Sequence, residues 1–306
     1  MNSPVALFAY NRFSTIKKTL KSLKKNYLAD QTDIFIFSDG PKDTEDYISI
    51  FEIRKYIKNF KGFKKINLIE RELNLGLSKN IVNGINHVLD LNNSVIVLED
   101  DIVTSKYFLK FMNDALITYE NSKNVCQVSG YSYLEKYSNK YELDETYFIK
   151  GGDCMAWGTW KSSWDLYTED AKYLYDQIKQ KKLDKLFNRN NSYNYLKMLK
   201  ARAFEKNQSW AICWYAINFL KNKYTYYPLK TLAIHIGNDE NATNYIPSNN
   251  DGLKVNLNDN KVGVSKINVI EKNDTKLAYE KFLKDLKGNY FERLKCYLKV
   301  FKRENI

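Results

Sequence analysis

The chain has 306 residues, of which 44% are hydrophobic and 27% charged, and this balance excludes wholesale disorder and predicts a folded globular protein. Its formal net charge of +12 would suit a polyanionic partner, but net charge is weak evidence, and without a recognisable nucleic-acid-binding motif we expect no nucleic-acid partner. No apolar stretch approaches the roughly 18 residues that span a membrane, and the first residues lack a signal-peptide pattern, so we expect a cytoplasmic protein.

Short apolar runs alternate with helical patterns along the first 130 residues. Strands are predicted at residues 5–9, 34–37, 66–69 and 95–98. The first is followed by a helix with Ile16, Leu20 and Leu23 on one face, and Ser78 is expected to cap a later helix. This alternation predicts an α/β fold with a mostly parallel central sheet flanked by helices.

Acidic residues follow two of these strands. Glu99, Asp100 and Asp101, here called the acidic run, end the fourth strand, and Asp39 follows the second. Ligands of open α/β sheets bind beyond the carboxyl ends of the strands, so we expect these side chains to share one crevice. Neighbouring carboxylates repel each other, and a divalent cation such as Mg²⁺ or Mn²⁺ would relieve that repulsion. A solvated acidic turn is the alternative interpretation of such a short motif.

Four segments of the first 110 residues carry a resemblance to a known family. Residues 4–12, 37–40, 74–80 and 97–101 occur in the order and spacing of GT-A fold glycosyltransferases. The set resembles the family 2 enzymes and the N-acetylglucosaminyltransferase I-like group, including bacterial relatives that build surface polysaccharides such as capsule or lipopolysaccharide. The resemblance implies a GT-A fold and metal-dependent, inverting transfer of a hexose or N-acetylhexosamine. The donor would be a nucleotide-diphosphate sugar, UDP-linked, and the acceptor a glycan or a lipid-linked glycan.

The resemblance also implies roles for residues of the donor site. Asp39 would hydrogen-bond the base, Asp101 would bind the metal, and His235 would approach the metal or the diphosphate. The residues that would contact the donor are Asn11, Arg12, Asp39, Asn74, Gly76, Lys79, Glu99 and Asp100. Turn chemistry for the two asparagines, a solvated helix charge for Lys79 and a structural role for His235 remain open alternatives.

On the acceptor side, residues 151–160 resemble a Gly-Trp segment that lines the sugar pocket, which implies contacts from Gly152 and Trp157. Trp210 lies in a segment that resembles a Ser-Trp-Ala-x-x-Trp helix, where packing would explain it equally well. In relatives a carboxylate before the Ser-Trp pair is the catalytic base, but this chain has Gln208 there, which cannot take a proton. Glu205 and Asp153 are the two candidates for the base, and the sequence does not choose between them.

The chain is expected to divide into three parts. Residues 1–130 would bind the donor, residues 131–245 would form the acceptor side of the same domain, and residues 246–306 would form a polar loop and a basic amphipathic helix. From residue 276 to 306 there are nine basic and four acidic residues. An apolar stripe runs through Leu283, Leu286, Tyr290, Leu294, Tyr297 and Phe301. Such a helix would lie on the anionic inner face of the plasma membrane or pack back on the catalytic domain, and both interpretations stay open.

Two other classes of function compete with this interpretation. A nucleotidyltransferase would share the sheet and the metal, but it needs a glycine-rich phosphate loop after the first strand, and residues 10–13 lack glycine. A non-catalytic pseudo-enzyme that binds nucleotide sugars or polyanions is the second alternative, because Gln208 stands at the usual position of the base.

Overall fold

The computed structural model describes residues 2–237 and 256–286, and its central element is an eight-stranded sheet. The strands are β1 (Val5–Ala9), β2 (Asp33–Ser38), β3 (Lys65–Glu70), β4 (Ser94–Glu99), β5 (Ile102–Thr104), β6 (Val125–Ser129), β7 (Thr146–Lys150), β8 (Trp157–Trp160), β9 (Tyr224–Pro228) and β10 (Ala233–His235). The sheet order is β3-β2-β1-β4-β8-β6-β9-β7, while β5 and β10 form a separate antiparallel pair. Four of the seven pairings in the large sheet are parallel, as predicted.

Helices flank this sheet. They are α1 (Phe13–Lys24), α2 (Thr44–Asn59), α3 (Leu77–Leu89), α4 (Phe108–Tyr119), α5 (Lys161–Trp164), α6 (Ala171–Gln180), α7 (Asp184–Phe187), α8 (Tyr195–Ala203), α9 (Trp210–Leu220) and α10 (Asn273–Leu286). The predicted apolar face of α1 is confirmed, because Ile16, Leu20 and Leu23 are fully buried. The predicted fold class, an α/β fold with a mostly parallel sheet between helices, is therefore confirmed.

Strand β1 shows why the middle of the sheet is hydrophobic on both sides. Val5 and Leu7 belong to the core on one face, and Ala6 and Phe8 belong to the core on the other. A parallel strand that is covered on both faces reads as a continuous apolar run, as this one does. Its carboxyl end leads to the same sheet edge as the ends of β2 and β4.

Two later segments reach that edge from other directions. Strand β8 runs antiparallel to β4, with Ser94 opposite Trp160 and Val97 opposite Trp157. This register brings the start of β8, and the loop 151–156 before it, to the carboxyl end of β4. Strand β10 pairs with β5, which follows the acidic run directly, so that His235 lies opposite Ile102.

The C-terminal segment packs on the outer edge of the sheet. In α10, Ala278, Phe282 and Leu283 join a buried cluster with Tyr147 and Tyr227. Leu283, the first residue of the predicted apolar stripe, therefore faces the domain, and the stripe from Tyr290 onward lies outside the described residues. Within the described ranges no helix is long and apolar enough to cross a membrane. Membrane contact stays a prediction for the remainder of the stripe.

The predicted cap of the third helix was wrong. Helix α3 already begins at Leu77, and Gly76 is its N-cap residue, with a φ of 75°. Ser78 lies inside the first turn, and its buried hydroxyl has no hydrogen-bond partner. Glycine adopts this left-handed conformation without strain, so the chain can enter the helix two residues before the serine.

Candidate active site

Asp101 lies at the centre of the carboxyl edge of the sheet. Its Oδ2 accepts a hydrogen bond from Nη1 of Arg12 at 3.0 Å and lies 3.1 Å from Nε2 of His235. Its Oδ1 is buried and has no hydrogen-bond partner. Burial acts to raise the pKa of Asp101, but His235 and Arg12 outweigh it and hold the pKa below its usual value. Asp101 is therefore a charged carboxylate in which one buried oxygen has no hydrogen-bond partner.

The other two members of the acidic run, Glu99 and Asp100, have raised pKa values. Burial, together with the charge of Asp101, raises the pKa of Glu99 to about 8 and that of Asp100 to about 7. Asp100 also accepts a hydrogen bond from the backbone N–H of Tyr10, at 3.2 Å. Burial and crowding thus favour the neutral forms of Glu99 and Asp100, and a bound cation would favour their charged forms.

The residues at this edge fit a divalent cation that is shared with a ligand. Among residues 2–237 and 256–286, no group of three His, Cys, Asp or Glu side chains has the arrangement of a metal cage. Mg²⁺ commonly binds through one or two carboxylates, with water and substrate phosphates completing its shell. The unpartnered Oδ1 of Asp101 is suited to that mode, in which the protein supplies few ligands.

The segment after β10 closes over the acidic run. The N–H of Ile236 donates to the carbonyl of Asp101 at 2.9 Å, and Nη2 of Arg12 donates to the carbonyl of Gly237 at 3.0 Å. A Cβ at Gly237 would collide with the Asp101 carboxylate. A side chain at position 237 would therefore force the Asp101 carboxylate or Arg12 to move, a constraint that the sequence did not reveal.

Asp39 links the end of β2 to the start of α3. Its Oδ1 accepts from the N–H groups of Gly40 at 3.0 Å and Leu75 at 2.9 Å, and its Oδ2 accepts from Gly76 at 3.0 Å. The side-chain amide of Asn74 donates to the carbonyl of Gly40 at 2.8 Å. The structure thus brings Asp39, Asn74 and Gly76 together, while their contacts with a base or ribose stay predictions.

An aspartate that the sequence analysis missed holds the segment after β1. Asp46, in α2, accepts from the side-chain amide of Asn11 at 2.6 Å, from the hydroxyl of Tyr10, and from the N–H of Lys42 at 3.1 Å. Asn11 is therefore fixed by a partner 35 residues away in the chain. Lys79 is exposed in the first turn of α3, and its contact with the donor stays a prediction.

Arg54 was also missed, because a lone arginine in a helix gives no signal in the sequence. Its Nη2 donates to the carbonyls of Ser38, Asp39 and Arg71, at 3.3, 3.2 and 2.7 Å. Its Nε donates to the hydroxyl of Ser38 at 3.1 Å. One guanidinium therefore ties together the chain ends that leave β2 and β3, including the residue predicted to hold the base.

Asp153, which was predicted to lie on the acceptor side, is in the loop that leads into β8. Its carboxylate accepts from the hydroxyl of Tyr133 at 3.0 and 3.1 Å and from that of Tyr227 at 2.9 Å. It also accepts from the N–H of Cys154 at 2.7 Å. Burial raises the pKa of Asp153, and these hydrogen bonds offset part of the increase. The neighbouring Cys154 interacts electrostatically with Glu99, consistent with the position that the register of β8 gives this loop.

The other two candidates on this side are exposed. Glu205 lies in the turn after α8, with a φ of 57°, and Gln208 lies just before α9. The next residue, Ser209, caps α9 by accepting a hydrogen bond from the N–H of Ile212 at 3.4 Å. Asp153 is thus the one residue of these three whose side chain is enclosed and oriented by partners.

The tryptophans of this half form a packed group. The Trp157 ring is fully buried and stacks on that of Trp210, with centroids 5.6 Å apart. The ring centres of Trp214 and Trp157 are 5.8 Å apart. A Cβ at Gly152 would lie 2.6 Å from Cδ1 of Trp214. Packing alone accounts for the positions of these residues. Sugar contact by Gly152, Trp157 or Trp210 stays a prediction.

A family model matches the part of the chain that forms the carboxyl edge of the sheet. The model of glycosyl transferase family 2 matches residues 5–163, which include the acidic run, Asp39 and the Asp153 loop. The chain therefore belongs to glycosyl transferase family 2, and its α/β architecture is that of the GT-A fold. The narrower resemblance to the N-acetylglucosaminyltransferase I-like group stays a prediction.

Solved structures resemble this chain only weakly, with low sequence identities and low TM-scores. TarS of S. aureus is 19% identical with a TM-score of 0.31, over 42% of this chain and 21% of that one. A form of TarS comprising residues 1–349 with UDP is 19% identical with a TM-score of 0.30, over 42% of this chain and 35% of that one. The mannosyltransferase PcManGT from Pyrobaculum calidifontis, in complex with GDP-Man and Mn²⁺, is 13% identical with a TM-score of 0.31, over 45% of this chain and 38% of that one. The chain thus spans well under half the length of each. A search of curated proteins gave no match.

Proposed function

We propose that this protein transfers a sugar from a UDP-linked donor to a hydroxyl group of a glycan or lipid-linked acceptor in the synthesis of a bacterial surface polysaccharide. The sugar would be a hexose or an N-acetylhexosamine, as in the N-acetylglucosaminyltransferase I-like enzymes. The observation that carries the proposal is the buried acidic run at the carboxyl edge of the sheet, where Asp101 keeps one carboxylate oxygen without a partner.

Asp101 would hold a divalent cation, Mn²⁺ or Mg²⁺, through its Oδ1. When bound, the cation supplies charge stabilisation to the departing nucleoside diphosphate. Arg12 and His235 orient the Asp101 carboxylate, because both engage its Oδ2. Asp39 would accept a hydrogen bond from the base, within the frame that Arg54 holds.

The remaining donor contacts follow the order of the elements along the edge. Asn74, Gly76 and Lys79 would approach the ribose or the phosphates, and Asn11 would border the nucleotide. Glu99 and Asp100 would contact the ribose and the sugar. Each of these assignments rests on position in the fold and on the family to which the chain belongs.

Asp153 would be the base that accepts the proton of the acceptor hydroxyl. That oxygen forms a bond to the anomeric carbon as the bond from this carbon to the diphosphate oxygen breaks, and the proton passes to a carboxylate oxygen of Asp153. The attack comes from the side opposite the leaving group, so the anomeric configuration inverts. Enclosure and three hydrogen-bond donors favour Asp153 over the exposed Glu205.

We assign residues 1–130 to the donor side, 131–245 to the acceptor side and 246–306 to a C-terminal extension. The protein would act in the cytoplasm, at the inner face of the plasma membrane if the stripe beyond residue 286 binds lipid. The packing of Leu283 on the domain supports the docked alternative for the first part of this helix.

A ligand screen followed by product analysis tests the proposal. UDP or a UDP-sugar should raise the unfolding temperature in the presence of Mn²⁺ and lose this effect in EDTA, because a ligand that binds only the native state stabilises it. The sugar product should show inverted anomeric configuration by NMR. Stabilisation by polyanions alone, with none from any nucleotide or nucleotide sugar, would instead favour the non-catalytic alternative.

Replacing each base candidate by its amide distinguishes the two. Asp153→Asn should lower turnover by roughly 100-fold or more, the usual size of a general-base contribution. Glu205→Gln is the matched control and should leave turnover near that of the parent. The reverse pattern would move the base to Glu205.

A further inference from the structure

Two tyrosine hydroxyls from distant parts of the chain converge on Asp153. Tyr133 follows β6 and contacts both carboxylate oxygens, at 3.0 and 3.1 Å, while Tyr227 lies in β9 and contacts Oδ2 at 2.9 Å. We propose that Tyr133 and Tyr227 are positioning residues that hold the Asp153 carboxylate in the orientation needed to accept the proton of the acceptor hydroxyl. The inference rests on the proposed function and extends it to residues that no motif identifies.

Both hydroxyls act as donors to the carboxylate. Burial, followed by the charge of Asp153, raises the pKa of Tyr133 and of Tyr227 well above the usual value. The two phenols are therefore protonated near neutral pH, and each keeps a hydrogen to donate. Hydrogen bonds to an ionised acceptor are roughly twice as strong as neutral ones, so the pair both orients the carboxylate and stabilises its charge.

The two rings are fixed by their neighbours. The ring of Tyr133 lies 4.8 Å from that of Phe282 and 6.0 Å from that of Tyr279, both in α10. The ring of Tyr227 stacks on that of Tyr147 at 5.5 Å, with 12° between the planes. Neither hydroxyl can swing away unless aromatic rings from α10 and β7 repack. Fixed partners of this kind keep a reacting group within the narrow geometry that proton transfer needs.

Hydrogen bonds, and no cation, surround the carboxylate within the described part of the chain. Titratable side chains around Asp153 include Tyr131, Tyr133, Tyr147, Cys154, Tyr227 and Tyr279. Burial raises the pKa of each of them, so all are neutral near pH 7. Loss of one hydroxyl therefore removes one of the hydrogen bonds that stabilise the charged form of Asp153.

Titration of the carboxyl group by NMR tests the inference without a substrate. The full chain would be labelled with ¹³C-aspartate, and Asp153→Asn would identify the signal. Tyr133→Phe and Tyr227→Phe should each raise the pKa of Asp153 by about one unit, because a hydrogen bond to a charged group is lost. Tyr147→Phe is the matched control, since its buried hydroxyl lies 3.2 Å from that of Ser132 and does not bond to Asp153. It should shift the pKa of Asp153 much less than Tyr133→Phe or Tyr227→Phe does, because no hydrogen bond to the carboxylate is lost.

The pH dependence of turnover gives the second readout. The acid limb of kcat/KM, followed as UDP release from UDP-N-acetylglucosamine with Mn²⁺, should move up by about one pH unit in each Tyr→Phe variant, because the base is protonated over a wider range. Circular dichroism and thermal unfolding establish that each variant is folded. If one of them is not, the other tests the inference alone.

The outcomes separate this inference from the proposed function. If Asp153→Asn loses turnover while both Tyr→Phe variants keep the parent's carboxyl pKa and pH profile, the positioning role is overturned and the base assignment stands. If Asp153→Asn turns over as fast as the parent, the base assignment fails and the positioning role fails with it. Equal shifts in Tyr147→Phe would mean that the effect is general to this packed region, which also overturns the inference.

Discussion

Glu271 forms a buried ion pair that attaches the C-terminal segment to the edge of the sheet, and its replacement by glutamine should destabilise the fold. Its Oε1 accepts from Nη1 of Arg189 at 2.6 Å and from the N–H of Lys150 at 3.0 Å. The side chains of Arg189 and Glu271 are only 5% and 11% exposed. The guanidinium also donates to the carbonyl of Lys150 and lies 5.1 Å from the centre of the Tyr279 ring.

The loss of stability in Glu271→Gln follows from the unpaired charge of Arg189. Burial opposes the charge on Arg189, whereas Glu271 and the nearby tyrosines raise its pKa well above the usual value. Arginine is not deprotonated in proteins, so the guanidinium stays positive even when Glu271 is replaced. Glu271→Gln therefore leaves a buried cation without a counter-charge, although the amide still occupies the space. Breaking one partner of a buried pair costs about 3 kcal/mol or more of the free energy of unfolding.

Urea denaturation followed by tryptophan fluorescence measures this loss. The neighbouring pair of Lys272 and Asp144, 2.7 Å apart with side chains 56% and 45% exposed, supplies the control. Lys272→Gln should barely change the midpoint, because exposed ion pairs contribute little. Equal midpoints for Glu271→Gln and Lys272→Gln would refute the argument that this contact is a buried, stabilising pair.

Two further substitutions test the residues that frame the proposed donor site. Gly237→Ala should weaken Mn²⁺-dependent UDP binding by roughly 10-fold, because its Cβ must displace the Asp101 carboxylate, whereas Gly263→Ala, with open space around its Cβ, should bind as the parent does. Calorimetry compares them, and similar affinities would contradict the close packing. Arg54→Met should cost about 2 kcal/mol of stability in urea denaturation and also weaken UDP binding, since three carbonyls around Asp39 lose their donor. An unchanged UDP affinity would show that the hydrogen bonds of Arg54 do not contribute to recognition of the base.

The first four strands of the fold could be predicted from the sequence because their signals are local. Each strand from β1 to β4 is a short apolar run, and the structure matches the predicted bounds to within one residue. Helix α2 was not predicted, because Tyr47, Ile48 and Phe51 are exposed and blur its apolar stripe. The order β8-β6-β9-β7 was also beyond reach, because it depends on contacts between residues far apart in the chain.

The same distinction applies to the site. The acidic run and Asp39 could be found because they follow strands, and strand ends are readable in the sequence. Asp46, Arg54, Tyr133 and Tyr227 could not be found, since each acts through a partner that only the fold brings near. Sequence left the base open between two carboxylates, and the enclosure of one of them appeared only in three dimensions.

Calorimetric titration of UDP into the parent and into Asp101→Asn, each with Mn²⁺ and with EDTA, tests the central claim most directly. The claim predicts that the parent binds UDP tightly only with Mn²⁺, because Asp101 would hold the cation that stabilises the bound diphosphate. Asp101→Asn should keep its fold but bind weakly and to the same extent in both conditions. Parent binding that EDTA does not change, or an Asp101→Asn variant with the parent's Mn²⁺ dependence, would contradict the claim.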